Sequence, residues 1–259
     1  MVTHALVWAA HQPGEWATWS TRVIRKGVGM NIVCVHGSGS CREAWHYQTA
    51  AFANITAVNL PGHPDGELIP TIGGMVEWLH GYIAEAGLAP VVLFGHSLGA
   101  GVVMQYALDY GDAVSGLVLV GAGARLKVSP AILEGLARDI QTGSAWDPMT
   151  GYERIAPEVA AVLARRRVEN GPHARLNDLS ACNDFDIIAN LSNITIPTLA
   201  ICGTDDAMTP PKYTQFLAAR LPDARGVVIE GGTHQVHLEK PDEVNQEIRA
   251  FLDDRANGD

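Results

Sequence analysis

The stretch PVVLFGHSLGAG, Pro90 to Gly101, decides how this chain is read. Apolar residues run into Gly95, and after His96, Ser97 and Leu98 come Gly99, Ala100 and a helical run to Tyr110. The form is G-x-S-x-G, set after a strand-like run and before a helix, which is the context that gives the motif meaning. Such a turn forces the residue at its apex into a cramped backbone conformation. Small residues on either side let strand and helix approach, and Gly95, Gly99 and Ala100 meet that demand. Ser97 then stands at a helix N-terminus, where the Leu98 N–H and the helix dipole face a developing anion. The neighbouring His96 leaves the elbow in another direction and would lack a buried acid, so it is not read as the base.

Working outward, six β-rich runs recur at 31–35, 55–60, 91–95, 116–121, 198–202 and 226–230. They are near-continuous rather than alternating, as expected of parallel strands covered on both faces. Between them lie amphipathic patterns. Ile72, Met75, Val76, Leu79 and Ile83 fall at helical spacing, and so do Val244, Ile248, Phe251 and Leu252. Thr209 before Pro210 and Pro211 reads as an N-cap and helix start. The alternation implies a doubly wound, mostly parallel α/β sheet. It breaks once, between Gly121 and Pro197, where only helical segments around 130–142, 156–169 and 174–190 are visible. A helical insertion over the C-terminal edge of the sheet is expected there, at the edge where α/β sheets bind ligands.

Composition narrows the function classes. The 259 residues are 47% apolar and 18% charged, enough for one α/β domain with a large core. A formal net charge of −10 argues against a nucleic-acid or anionic-membrane partner. Arg165, Arg166 and Arg167 form the one dense basic run, read as a solvated helix face. Cys34, Cys41, Cys182 and Cys202 show neither CxxC nor Cys/His ligand spacing, so no metal site is expected. Cys34 and Cys202 lie in strand-like runs and read as small buried hydrophobes. The opening MVTHALVWAAHQPGEW lacks a basic n-region, and no run reaches membrane-spanning length. A cytoplasmic setting with reduced thiols is the expectation. Trp8, Trp16 and Trp19 read as a packed cluster or an exposed patch. The chain length suits a monomer or a homodimer.

Three further segments complete the pattern. VCVHGSG (33–39) runs from a strand into His36-Gly37-Ser38, either a plain glycine-rich turn or a loop presenting a backbone N–H to Ser97. GTDDAMTP (203–210) follows the fifth run, and EGGTHQVHLEKP (230–241) follows the sixth. Serine, then aspartate, then histidine is the chain order of an α/β-hydrolase triad. With NLPGH (59–63) and LVLVGAGA (117–124), these segments make the chain resemble the α/β-hydrolase superfamily from Asn31 to the last helix.

The resemblance implies a helical cap, residues 122–196, inserted after the sixth strand of that fold, with a core formed by 1–121 and 197–259. It implies Ser97 as nucleophile, His234 as base and Asp206 as acid, with Ser38 and Leu98 donating backbone N–H groups to an oxyanion. Asp206 is preferred to Asp205 because the family's acid stands three residues after the glycine and four before the proline. No cofactor is implied. The expected reaction is hydrolysis of a small, neutral, mostly apolar carboxylic ester through an acyl-enzyme. Lactone or carbon–carbon bond hydrolysis on the same triad is the alternative, and a non-catalytic ligand receptor stands behind both. A serine at position 97 argues against the dehalogenases and epoxide hydrolases of the family, which use a carboxylate. His36, Trp45 and Trp146 are candidate pocket residues, Trp45 either lining the pocket or capping a core helix. After NLPGH, the run Pro64-Asp65-Gly66-Glu67 departs from the family's usual turn.

Overall fold

The computed structural model describes residues 30–144 and 147–256. Six strands form one parallel sheet: β1 (Asn31–Val35), β2 (Ile55–Val58), β3 (Val91–His96), β4 (Val114–Val120), β5 (Thr198–Gly203) and β6 (Ala224–Ile229). Their order is β2-β1-β3-β4-β5-β6. From β1 the chain moves outward to β2, then returns on the other side of β1 with β3 and continues that way. The order therefore reverses between β1 and β3, and the loops leaving their carboxyl ends diverge into a crevice. Ser38 follows β1 and Ser97 follows β3, so the topology sets both at that switch point.

Alternation along each strand builds two cores. Val33, Val35, Leu93, Leu117 and Leu119 pack toward α2 (Ile72–Ala86) and α3 (Leu98–Asp109). Ile32, Cys34, Phe94, Val118 and Ile201 face the opposite side, against Trp45 and the α8 residues Val244, Ile248 and Phe251. On that side lie the short α1 (His46–Ala51) and α7 (Val236–Glu239), with α8 spanning Pro241–Ala256. The apolar stripe read in α2 is buried as expected, and the helix is closed by Thr71, whose side chain accepts the Gly74 N–H, and by Gly87 at φ 63°.

Strands β1, β3, β4 and β5 are covered on both faces, but β6 is not. Arg225, Gly226 and Val228 are exposed because β6 is an edge. Thr209 is not the cap of α6 (Pro211–Arg220). Pro210 holds that position, and the Thr209 hydroxyl is engaged by Asp206.

Between β4 and β5 runs a helical excursion, which follows the fourth strand of the described chain. α4 (Pro130–Thr142) buries none of its residues. α5 (Pro157–Asp184) is two arms joined at Gly171, whose φ of 75° and ψ of 167° break the helix just before Pro172. The first arm packs Val159, Ala160 and Leu163 against Cys41, Ala44 and Tyr152. This packing corrects the reading of the arginine run as solvated. Arg165 is exposed, but Arg166 reaches Glu43 at 2.7 Å, and Arg167 is buried with its guanidinium 4.0 Å from the Tyr152 ring centre. All four cysteines are buried and free. Among the described residues, no helix is long and apolar enough to cross a membrane. The tryptophans at 8, 16, 19 and 146 lie outside the described residues.

Candidate active site

Ser97 sits between β3 and α3 with φ 52° and ψ −113°, a conformation that costs a non-glycine residue on the order of 1–3 kcal/mol. Glycines make the turn possible. A Cβ on Gly95 would collide with the Gly99 carbonyl, and one on Gly99 with the carbonyl of Val35. The Ser97 N–H donates to the Val120 carbonyl at 2.9 Å, fixing the elbow to β4. Ser97 itself stays partly open to solvent, while Leu98 is fully buried.

The carboxylate and imidazole come from the ends of β5 and β6. His234 Nδ1–H donates to Asp206 Oδ2 at 2.9 Å, with the Thr209 Oγ1 3.2 Å from the same nitrogen. Asp206 is 3% exposed and accepts three further bonds, from the Met208 and Thr209 N–H groups and the Thr209 hydroxyl. Burial acts to raise its pKa. The His234 bond and charge and the Thr209 donors outweigh that and hold it below the usual carboxylate value. With Nδ1 spent on Asp206, the buried Nε2 of His234 has no partner among the described residues. Gly121, at φ 55°, makes room for the pair, since a Cβ there would lie 3.0 Å from His234 Cε1.

Asp205 faces the other way. It is exposed and bonds Arg154 Nη1 at 2.9 Å, and Arg154 also donates to the Gly231 carbonyl. One aspartate therefore serves the histidine and its neighbour ties the excursion to the histidine loop. His237 lies elsewhere too, fully buried with its ring 5.0 Å from Trp45 and 4.5 Å from His96. His96 donates through Nε2 to the His234 carbonyl at 2.9 Å, so it braces the loop that carries His234. Burial, with the nearby His237 and His234, holds the His96 pKa well below its ordinary value.

The loop after β1 closes the site. A Cβ on Gly37 would lie 3.4 Å from Ser97 Cβ, so the loop runs directly past the serine. Among the described residues neither the Ser38 N–H nor the Leu98 N–H is spent on a protein acceptor. Gly39 donates its N–H to Asp178 Oδ2 on α5 at 2.8 Å. The same oxygen takes a 2.9 Å bond from His63 Nε2, and His63 Nδ1 faces the Leu60 and Pro61 carbonyls at 3.2 Å. Both ring nitrogens thus donate, which marks His63 as an imidazolium. Burial opposes that charge, but the Asp178 bond and charge raise the pKa on balance.

Two expected pocket residues do not line an open surface. Trp45, at the end of the 3-10 turn Arg42–Trp45, has no exposed area and packs on Phe94 and His237 in the core that faces α8. His36 is equally buried, with Nδ1–H bonded to the Gly37 carbonyl and Nε2 accepting the Leu60 N–H. Both of its nitrogens are used in bracing the loop. The unusual turn after NLPGH closes on itself, Gly62 N–H to the Asp65 carbonyl at 2.6 Å, and delivers His63 to Asp178. His63 was visible in sequence only as part of a fold motif. Asp178 carried no signal at all, being one aspartate on a mixed helix. No group of three or more His, Cys, Asp or Glu side chains among the described residues is arranged to hold a metal.

Residues 32–247 match the family model described as "Alpha/beta hydrolase family". The chain belongs to that family. Among its relatives is the (E)-2-((N-methylformamido)methylene)succinate hydrolase of Acinetobacter baylyi, 28% identical over 244 residues, 88% of this chain and 92% of the relative. A thermophilic esterase from Thermogutta terrifontis, solved with malate bound, superposes with a TM-score of 0.77 at 26% identity, covering 88% and 91% of the two chains. The enol-lactonase from Burkholderia xenovorans shares the fold, with a TM-score of 0.79 at 21% identity over 89% and 94%. This α/β hydrolase is thus similar to a succinate-derivative hydrolase and an esterase, and shares its fold with an enol-lactonase.

Proposed function

We propose that this α/β hydrolase is a serine hydrolase that cleaves small carboxylic esters through Ser97, His234 and Asp206. One observation carries the reading. The Asp206–His234 bond leaves a buried Nε2 without a partner among the described residues, in a molecule that also holds a serine in a strained, partly solvent-exposed turn.

In this reading His234 Nε2 takes the Ser97 proton as Oγ attacks the ester carbonyl. The tetrahedral oxyanion is held by the Ser38 and Leu98 N–H groups, each worth about 3 kcal/mol of transition-state stabilisation. His234 then protonates the leaving alcohol and activates water to release the acid. Asp206 holds the imidazole in the tautomer with Nδ1 protonated and stabilises the imidazolium. The helical excursion within 122–196 acts as the cap of the site, and the described residues 30–121 and 197–256 form the core; the rest of the expected core, 1–29 and 257–259, lies outside the described residues.

A second reading has its own support. The Acinetobacter relative is named for a formamido-substituted succinate. Attack on an amide-type acyl group, or on a lactone, uses the same serine and the same oxyanion donors. Turnover of methyl esters, lactones and N-acyl amines by the parent and by Ser97→Ala tests the assignment. Ser97-dependent hydrolysis of an ester supports the first reading, Ser97-dependent cleavage of amides alone favours the second, and activity surviving in Ser97→Ala removes both.

A further inference from the structure

The second arm of α5 brings a cation to the serine loop that no described carboxylate answers. Asp178 fixes which face of the helix points that way, because it accepts the Gly39 N–H. Arg175 lies three residues earlier and so shares that face. Its stem rests on the loop: a Cβ on Gly39 would lie 3.0 Å from Arg175 Cβ and 3.3 Å from its Cγ. The Ser38 hydroxyl also points to the Arg175 carbonyl at 3.5 Å. On the other side of Ser38, Gly37 abuts Ser97. Arg175 is thus rooted one glycine past Ser38, on the side of the loop that the excursion covers.

The charge has no counterpart in the described protein. Arg125, Arg154, Arg166 and Arg225 each meet a carboxylate within 4 Å, and Arg175 meets none among the described residues. The partner that sequence spacing would offer is committed elsewhere. Asp178 spends Oδ2 on Gly39 and His63, and Oδ1 accepts from Asn177. Near the Arg175 guanidinium stand Arg167, which repels it, and Tyr152. Burial and then Arg167 lower its pKa, the mark of a cation held partly away from water beside another. A half-buried guanidinium without an anion carries a desolvation cost that an incoming carboxylate would offset. Its planar fork suits two-point binding of that group.

We propose that Arg175 binds a free carboxylate of the substrate, so that this hydrolase acts on small esters or lactones of dicarboxylic acids. The inference rests on the serine-hydrolase reading for its chemistry, and it replaces the neutral ester expected from the sequence with a mono-anionic one. Ser97 attacks the ester carbonyl, and the far carboxylate stays intact on Arg175.

Monomethyl glutarate and methyl pentanoate differ by a carboxylate in place of a methyl group and make a matched pair. The parent is expected to prefer the half-ester in kcat/KM. In Arg175→Met, which keeps the stem against Gly39, the acid-to-neutral ratio should fall roughly 30-fold, mainly through KM. Arg175→Lys should retain part of it. Should Arg175→Met fail to fold, a ratio lowered several-fold in Arg175→Lys reads the same effect. Calorimetry gives a second arm independent of turnover: glutarate should bind Ser97→Ala and bind weakly, if at all, once Arg175→Met is added. A ratio unchanged by both substitutions, a parent that prefers methyl pentanoate, or no glutarate binding to Ser97→Ala overturns the proposal. Hydrolysis that persists in Ser97→Ala instead defeats the serine reading and leaves the binding result to judge Arg175.

Discussion

Asp206 and His234 stand 28 residues apart and meet at 2.9 Å, while Asp205, one position earlier, turns outward to Arg154. Two adjacent carboxylates thus have unrelated surroundings. One is buried and accepts four hydrogen bonds, and the other is half in water.

Substitution should separate them. Asp206→Asn is expected to lower kcat by roughly 10³- to 10⁴-fold with the protein still folded, since the amide disturbs the imidazole tautomer. Asp205→Asn should change kcat by less than about 3-fold, because an exposed pair contributes little. Steady-state kinetics on one ester checks both. Comparable losses in the two variants would mean that the acid is misassigned.

Acid should destabilise the fold before the carboxylates titrate. His36 and His237 have pKa values lowered to about 3 by burial first, and burial also lowers that of His96. A group whose folded pKa is depressed gives stability that is complete above the unfolded value of 6.5 and is lost as pH falls below it. Each such histidine contributes a slope of about 1.4 kcal/mol per pH unit there. His63 works in the opposite direction, its raised pKa adding stability below 6.5 that is lost as pH rises through the folded value. Burial also lowers the His46 pKa, and four against one leaves a net loss. Thermal melts should show Tm falling between pH 7 and pH 5, and a flat or rising Tm would contradict this balance.

The His63–Asp178 pair should behave as a coupled unit. Asp178→Asn leaves a buried imidazolium unanswered and should cost about 3 kcal/mol in urea unfolding. Adding His63→Gln to that variant should recover part of the loss, because the stranded charge is gone. Strictly additive losses would show that the two side chains act separately.

Trp45→Ala should cost about 3–5 kcal/mol, the range for emptying a fully buried aromatic site. Trp45→Phe should cost less. In the folded Phe variant, KM for small esters is expected to stay within about 2-fold, as befits a core residue. A selective rise in KM would restore Trp45 to the pocket.

Much of this was legible in the sequence for a physical reason. Strands covered on both faces leave unbroken apolar runs, so 31–35 and 91–95 stood out at once. The elbow must be built of glycine and alanine, so Gly95, Gly99 and Ala100 announced it. What stayed hidden was charge pairing across distant segments. Nothing local distinguishes Arg165 in water from Arg166 on Glu43, or Asp178 from any other helix aspartate, because partner choice depends on how the excursion docks. The edge position of β6 was hidden likewise, since strand order is not written in a single strand. Thr209 looked like a cap because its spacing to the prolines fits one. The carboxylate three residues earlier took its hydroxyl instead.

Covalent labelling reads the nucleophile at Ser97 without any choice of substrate. Treated with a fluorophosphonate, the parent should gain a single adduct that peptide mass spectrometry places on Ser97, and Ser97→Ala should gain none. An unlabelled parent, or an adduct that survives in Ser97→Ala, would rule Ser97 out as the nucleophile.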